Sequence, residues 1–187
     1  MTRNVTLVKK VCLVGDSGVG KTSLIRRFVL DIFDDSYLTT IGAKITKKNM
    51  VLDLPEYDCH VDLCLLIWDI AGQKEFGLFH EMYLQGVEGA FIVADSARRE
   101  TFFSVPGIVD LIDRHGDDIP TIILMNKCDL AEPPAIDLKE IRDLANRRGM
   151  ALLSTSAKSG VNVQLAFEGL GKMVAVAWAK KEEWTVR

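Results

Sequence analysis

One short segment of the sequence has the residue types of a phosphate-binding loop. Gly15-Asp-Ser-Gly-Val-Gly-Lys-Thr22 fits the pattern G-x-x-x-x-G-K-[ST] and joins an apolar run to a helical pattern. The glycines let the backbone curl so that N–H groups point at phosphate oxygens, and the helix start adds partial positive charge. Lys21 can span two phosphates, and the Thr22 hydroxyl can bind Mg²⁺. A glycine-rich turn without function is the alternative; the motif itself predicts a nucleoside triphosphate of unspecified base.

A second segment, Asn126-Lys-Cys-Asp129, points to guanine as the base. A carboxylate at Asp129 can accept both hydrogens that guanine presents at N1 and N2, and adenine presents no such pair. Asn126 can connect neighbouring loops, and the stem of Lys127 can lie along the base plane. Farther along, the backbone N–H of Ala157, within Thr155-Ser-Ala-Lys158, can donate to guanine O6. A surface turn is the alternative interpretation of 126–129 taken alone.

Two further segments have the residue types that respond to a third phosphate. Asp69, at a predicted strand end, can hold Mg²⁺ through water, and Gly72 can offer its N–H to the γ-phosphate. Gln73 can orient an attacking water, and Thr40 can give Mg²⁺ a second hydroxyl. Loops that one γ-phosphate holds and hydrolysis releases make a binary switch. A strand-ending loop is the alternative for 69–73.

The elements that must position these residues alternate along the chain. Short, continuously apolar runs predict strands buried on both faces, and they lie at 11–14, 61–69, 90–94, 121–125 and 151–153. A half-polar stretch at 44–54 predicts an antiparallel edge strand in a hairpin whose turn spans 53–61. Helical patterns occupy 22–30, 101–115, the stretch after the capping box Asp137-x-x-Glu140, and 163–178. The sequence therefore predicts an α/β open sheet with its ligand site at the carboxyl ends of the strands.

Composition excludes several classes of protein. The 187 residues carry 23 Lys plus Arg and 26 Asp plus Glu, and this net charge of −3 disfavours a nucleic-acid partner. The longest apolar run, 173–179, is too short to span a membrane, and the four scattered cysteines fit a reducing cytosol. We therefore expect a cytoplasmic monomer made of one domain over 1–187, with a core of about 8–180.

Taken together, these motifs resemble the Ras superfamily of small GTPases, most closely its Rab-like branch, over about residues 8–180. The resemblance implies a P-loop NTPase fold (a Ras-like G domain) with a six-stranded, mostly parallel sheet and helices on both faces. It also implies that Phe33 packs on the guanine edge and that Tyr37 closes over the phosphates. The complete predicted nucleotide contacts are Asp16, Ser17, Gly18, Val19, Gly20, Lys21, Thr22, Ser23, Phe33, Tyr37, Thr40, Gly72, Asn126, Lys127, Asp129, Leu130, Ser156, Ala157 and Lys158. The predicted metal ligands are Thr22, Thr40 and, via water, Asp69, and the catalytic set is Gln73, Lys21, Thr40 and Gly72.

The resemblance also implies a surface that effector proteins read, formed by Ile45, Trp68 and Tyr83, with ordinary packing as the alternative. Ile45 stands where relatives usually carry Phe. The stretch from Thr40 to Asp69 is several residues longer than in most relatives. Residues 180–187 contain no cysteine for a lipid anchor, which predicts a truncated chain, a prokaryotic-type relative or recruitment to a membrane by a partner.

The resulting expectation is a slow GTPase with Mg²⁺ as cofactor, a switch in trafficking or signalling whose loops lie at about 31–42 and 70–83. Because no arginine lies between 31 and 42, turnover should be about 10⁻⁴ s⁻¹ and rise about 10³–10⁵-fold with an activating protein. Exchange factors and effectors are the other expected partners. The alternatives are a nucleotide-locked scaffold and a P-loop kinase or ATPase. Zinc binding by Cys59, His60, Cys64 and His80 and redox sensing by Cys128 are weaker possibilities.

Overall fold

The computed structural model describes residues 3–34, 40–72, 78–130 and 139–182, and it gives backbone only for 78–80. Strands and helices alternate along most of the chain. The strands are β1 (Arg3–Val14), β2 (Ala43–Leu54), β3 (Cys59–Ile70), β4 (Gly89–Asp95), β5 (Thr121–Asn126) and β6 (Ala151–Ser154). The helices are α1 (Lys21–Leu30), α2 (Leu78–Leu84), α3 (Val105–Asp113), α4 (Lys139–Arg147) and α5 (Val163–Lys181). No helix among the described residues is long and apolar enough to cross a membrane.

The six strands form one sheet in the order β2-β3-β1-β4-β5-β6. β2 pairs with β3 in the antiparallel sense, and every other pairing is parallel. This confirms the predicted mostly parallel sheet with one antiparallel edge strand. Because β1, β3, β4, β5 and β6 run in one direction, the loops that follow them meet at one edge.

Each face of the sheet carries its own apolar core. On one face α1 and α5 pack against β1 and β3, and the rings of Phe28 and Phe167 stack with centroids 4.2 Å apart. On the other face, buried side chains of α3 and α4 such as Ile108 and Ile141 pack against β4 and β5. Strands covered on both faces explain the continuously apolar runs in the sequence, since all seven residues of β4 are buried.

The predicted boundaries needed correction in the first three strands. β1 begins at Arg3 rather than Val11, because its first residues pair with β3, whose own start at Cys59 lies opposite Arg3. The predicted turn over 53–61 is also too long. The strands continue to Leu54 and restart at Cys59, and a short 3-10 turn at Pro55–Tyr57 closes the hairpin.

The helix boundaries follow the sequence signals more closely. The interruption at Pro106 delays α3 as predicted: a 3-10 turn at Arg99–Phe102 comes first, and Pro106 lies in the first turn of α3. Gly149 follows α4 with a φ of +62°, the left-handed conformation expected after a helix end. The first residue of the predicted capping box, Asp137, lies outside the described residues.

Candidate nucleotide-binding site

The loop between β1 and α1 curls tightly against two neighbouring loops. Gly15 has a φ of +149°, and a Cβ there would lie 2.1 Å from the carbonyl oxygen of Val93 in β4. Gly20 has a φ of +98°, and its Cβ would lie 2.3 Å from Nδ2 of Asn126. Any side chain at either position would force the loop away from the strand end. The glycines of the motif are therefore required by packing as well as by the predicted approach of phosphate.

Lys21, the first residue of α1, is buried beneath this loop. Its ammonium donates to the carbonyl oxygens of Gly15 at 2.6 Å and Asp16 at 2.8 Å. Burial lowers the pKa of Lys21 to about 8, although the nearby carboxylates of Asp69 and Asp16 oppose the shift. A buried cation at a helix N-terminus provides a strong local field for phosphate oxygens.

Three oxygen-bearing side chains converge beside Lys21, and they are the three predicted metal ligands. The Thr22 hydroxyl donates to Oδ2 of Asp69 at 2.5 Å and lies 3.0 Å from the Thr40 hydroxyl. Thr40 comes from the loop before β2, Thr22 from α1 and Asp69 from the end of β3. Two hydroxyls and a carboxylate are hard oxygen donors of the type that Mg²⁺ prefers.

Asp69 provides a direct test of whether this cluster fits a cation. Its Oδ1 atom is buried and has no hydrogen-bond partner among the described residues, although the residue is only 2% exposed. Burial raises the pKa of Asp69, while the hydrogen bond from Thr22 and the charge of Lys21 oppose the rise. A buried carboxylate oxygen without a partner is costly. A dication at this point, directly or through water, would satisfy that oxygen and favour the charged form.

Gly72 lies against the phosphate loop. A Cβ at this position would lie 2.4 Å from the carbonyl carbon and 2.5 Å from the carbonyl oxygen of Asp16. The segment after β3 can therefore approach the phosphate loop this closely only with glycine at 72. Gln73 and Tyr37, which were assigned roles in hydrolysis and phosphate closure, lie outside the described residues.

Asn126, the last residue of β5, joins three loops. Its Nδ2 donates to the carbonyl oxygen of Val19 at 2.9 Å. Its Oδ1 accepts the backbone N–H of Ala157 at 3.2 Å and the hydroxyl of Thr155 at 3.4 Å. The side chain is 1% exposed, so these bonds are made away from water. The prediction that Asn126 connects neighbouring loops is confirmed.

The other side chains of this region are held in fixed positions. The Ser156 hydroxyl donates to Oδ1 of Asp129 at 2.6 Å and accepts the backbone N–H of Ser159 at 3.0 Å. Lys127 has a φ of +62°, and its Cε lies 4.0 Å from the point where a Gly20 Cβ would be. The Lys127 stem thus crosses toward the phosphate loop, where it can form one wall of a planar pocket.

The remaining predicted contacts differ in how far they are exposed. Phe33 is half-buried and packs against the core, whereas Leu130 is 62% exposed and Lys158 is also exposed. Within the phosphate loop Val19 is buried and Ser17 is exposed. The other two, Gly18 and Ser23, are half-buried.

Comparison with known proteins agrees with this geometry. A sequence model of the Ras family matches residues 10–175. The chain belongs to the Ras family. The human Ras-related protein Rab-31 is 36% identical over 167 residues, which are 88% of this chain and 82% of that protein. GTP-binding protein YPTM1 of Zea mays is 37% identical over 159 residues, covering 84% of this chain and 74% of the relative. Ras-related protein RABA4a of Arabidopsis thaliana is 34% identical over 167 residues, which are 89% of this chain and 71% of that relative.

The chain is therefore a Rab-like small GTPase with the α/β P-loop fold of that family. Ras-family enzymes bind GTP and GDP and hydrolyse GTP. The P-loop kinase or ATPase alternative is thereby excluded.

The three residues predicted to form an effector surface lie together. Ile45 in β2 is directly opposite Trp68 in β3, and it is 52% exposed. The rings of Trp68 and Tyr83 are tilted, with centroids 6.3 Å apart. The ammonium of Lys10 lies 4.1 Å from the Trp68 ring centroid and donates to the carbonyl oxygen of Gln85 just after α2. The cluster thus connects the edge hairpin to the end of α2.

Arg27 in α1 is a supporting residue of the site that the helical pattern of the sequence did not single out. Its Nε donates to the carbonyl oxygen of Ala157 at 2.8 Å and its Nη2 to that of Lys158 at 2.7 Å. Its Nη1 pairs with Asp31 at 3.1 Å. Arg27 thus holds the loop at 155–158 in place against α1. Nothing in a helical pattern distinguishes such a brace from a solvated arginine.

The possible cysteine sites receive little support. The described residues contain no group of three or more His, Cys, Asp or Glu side chains that could hold a metal ion, and the side chain of His80 is not among them. Cys59 and Cys64 lie an odd number of positions apart in the regular strand β3, so they face opposite sides of the sheet. Burial and the neighbouring Asp129 raise the pKa of the Cys128 thiol, which disfavours a reactive thiolate.

Proposed function

We propose that this chain is a GTP-dependent switch that binds GTP or GDP with Mg²⁺ and slowly hydrolyses GTP. The observation that carries the proposal is the convergence of Thr22, Thr40 and Asp69 beside the buried ammonium of Lys21. Hydroxyl and carboxylate oxygens on one side and an ammonium on the other match a metal-bound triphosphate.

The base would be held at the opposite end of the same sheet edge. Ser156 fixes Asp129 through Oδ1, and the two carboxylate oxygens together would accept the hydrogens at guanine N1 and N2. The Ala157 N–H donates to Asn126 Oδ1, and Arg27 Nε donates to the Ala157 carbonyl oxygen, so this peptide segment is held in place. Guanine O6 would share the Ala157 N–H with Asn126. This arrangement supports guanine over adenine because adenine would leave the carboxylate unpaired.

In the proposed reaction, a water attacks the γ-phosphorus in line with the bond to the leaving GDP. Mg²⁺, when bound, supplies charge neutralisation to the phosphates. Lys21 stabilises the transferring charge as a fixed point charge, and the phosphate-loop N–H groups do the same without reorganisation. Gln73 would orient the water, and the Gly72 N–H would bind the γ-phosphate. With no arginine between 31 and 42, the intrinsic rate should be about 10⁻⁴ s⁻¹.

The switch itself would consist of the loops at about 31–42 and 70–83. Thr40 belongs to the first of these loops and Gly72 to the second. Each would contact the γ-phosphate or its metal ion. Loss of that phosphate releases both loops, which changes the surface formed by Ile45, Trp68 and Tyr83. Effector, exchange-factor and activating proteins are the proposed partners, with recruitment to a membrane through one of them. We also propose a single domain with a core over about 8–180, acting as a monomer.

Single-turnover hydrolysis tests this proposal. The protein is loaded with radiolabelled GTP, and phosphate release is followed with excess Mg²⁺ and with EDTA. Hydrolysis should require Mg²⁺, and Thr40→Ala should reduce it while leaving GDP binding nearly unchanged. Thr46→Ala, a half-buried threonine of β2 away from the site, is the matched control and should behave like the parent. Release of no phosphate over several days would instead support the nucleotide-locked scaffold.

A further inference from the structure

A buried carboxylate lies between the phosphate loop and the base loop, in a position that none of the motifs specifies. Asp95 ends β4 and is 1% exposed. Its Oδ2 receives Lys127 Nζ at 2.7 Å and Arg98 Nε at 2.9 Å, and its Oδ1 receives the backbone N–H of Ala97 at 3.0 Å. One carboxylate therefore holds two cations and one amide.

The two cations belong to different parts of the nucleotide site. Lys127 is a residue of the base loop, and its stem passes beside Gly20. Arg98 uses a second guanidinium nitrogen, Nη2, to donate to the carbonyl oxygen of Ser17 in the phosphate loop at 2.9 Å. Asp95 is thus connected to the base loop through Lys127 and to the phosphate loop through Arg98.

The ionisation state of Asp95 favours a stable ion-pair group with Lys127 and Arg98. Burial alone would raise the pKa of Asp95, but the hydrogen bonds from Lys127, Ala97 and Arg98 outweigh it and hold the pKa below its ordinary value. The carboxylate therefore stays ionised near neutral pH. Removing either cation would leave a buried charge only partly compensated, which is costly in a dry environment.

A second contact from the same segment reaches the neighbouring residue of the phosphate loop. The Ser104 hydroxyl, next to the start of α3, donates to Oδ1 of Asp16 at 3.0 Å. The segment 95–104 thus holds Asp16 by its side chain and Ser17 by its backbone. Gly72 also packs here, since a Cβ on it would lie 2.5 Å from the Ser17 nitrogen. The position of Ser17 therefore limits where Gly72 can lie.

We propose that Asp95 and Arg98 are positioning residues that keep the phosphate loop and the base loop in one fixed relation, so that nucleotide retention depends on them. This inference rests on the proposed guanine-nucleotide site. Arg98 acts on the phosphate side alone, whereas Asp95 acts on both sides through its two cations. Lysine cannot replace Arg98 fully, because one ammonium cannot repeat the fork that joins Asp95 and Ser17.

The test compares GDP release from the parent protein and from Arg98→Ala, Arg98→Lys, Asp95→Asn and Arg99→Ala. Arg99 is the matched control, since it is the next residue, is exposed and lies over the Phe103 ring 5.8 Å from its centroid. Release is followed with a fluorescent GDP. The same measurement with inosine diphosphate, which lacks the 2-amino group, reports on base recognition. Thermal unfolding of each nucleotide-free variant reports on overall stability.

We expect Arg98→Ala to release GDP roughly 10- to 30-fold faster, the cost of a charge-assisted bond and its partner, with an unchanged ratio of GDP to inosine diphosphate. Arg98→Lys should lie between this variant and the parent. Asp95→Asn should release GDP faster still and should reduce the discrimination between the two bases. Arg99→Ala should match the parent.

Equal release from Arg98→Ala and Arg99→Ala would overturn the inference. So would faster release accompanied by a proportional fall in the melting temperature, because that pattern describes a general loss of stability. If Asp95→Asn does not fold, GDP release from the two Arg98 variants still tests the inference. A parent protein that binds no guanine nucleotide would instead refute the proposed function, which separates the two failures.

Discussion

Replacing Asn126 with alanine should weaken nucleotide retention strongly, because this one side chain joins the phosphate loop to the loop at 155–158. The substitution leaves the carbonyl of Val19 and the N–H of Ala157 without their partner. A buried polar group that loses its partner costs about 1–3 kcal/mol. Two groups lose their partner, but the free protein can rearrange and recover part of that cost. We therefore expect the substitution to weaken nucleotide binding by about 2–3 kcal/mol, equivalent to a roughly 30- to 150-fold loss of affinity.

The assay is the dissociation rate of a fluorescent GDP from parent and variant, with excess unlabelled GDP as competitor. Thr155→Val is the matched control, because it removes only the hydroxyl that donates to Asn126 Oδ1 at 3.4 Å. This longer bond should contribute at most about 1 kcal/mol, or about a fivefold faster release. A change of less than about threefold for Asn126→Ala, or equal rates for the two variants, would refute the role given to Asn126.

Three other predictions concern the selectivity for the base, the positioning of the attacking water and the pH dependence of nucleotide binding. Asp129→Asn should shift the preference from guanine toward xanthine nucleotides, and unchanged competition by xanthosine triphosphate would contradict this. Gln73→Leu should suppress hydrolysis while nearly preserving GTP affinity; an unaltered rate would remove Gln73 from the mechanism. The pKa of Lys21 is about 8, and bound phosphates would raise it, so binding takes up a proton above that pH. Affinity should be full below about pH 8 and fall by up to about tenfold per pH unit above it. Calorimetry near pH 9 in buffers of different ionisation enthalpy measures the uptake, and its absence would be evidence against a charged Lys21 in the complex.

The sequence was sufficient for most of the fold because each central strand is covered on both faces. β4 and β5 are buried along their whole length, and continuous apolar runs mark them directly. β1 was underestimated because residues 3–10 are exposed or half-buried apart from Leu7, and only the pairing of Arg3 with Cys59 reveals that they belong to the sheet. Strand pairing is a non-local property, so local patterns do not report it.

The same limit applies to the candidate site. Side chains that would touch the nucleotide belong to motifs with fixed spacing, and the structure brings Thr22, Thr40 and Asp69 together as expected. Asn126 belongs to a motif, but other residues that hold the loops in place do not. Arg27 contacts positions 130 and 131 residues away, and Arg98 contacts Ser17 across 81 residues. Such supporting contacts depend on tertiary geometry, which a single sequence does not show.

The nucleotide that copurifies with the protein tests the central claim most directly. The protein is purified in the presence of Mg²⁺, denatured, and its released nucleotide is identified and counted by chromatography. A guanine nucleotide near one per chain, lost on treatment with EDTA, is the expected result. An adenine nucleotide, or repeated failure to bind added GDP or GTP with Mg²⁺, would contradict the account.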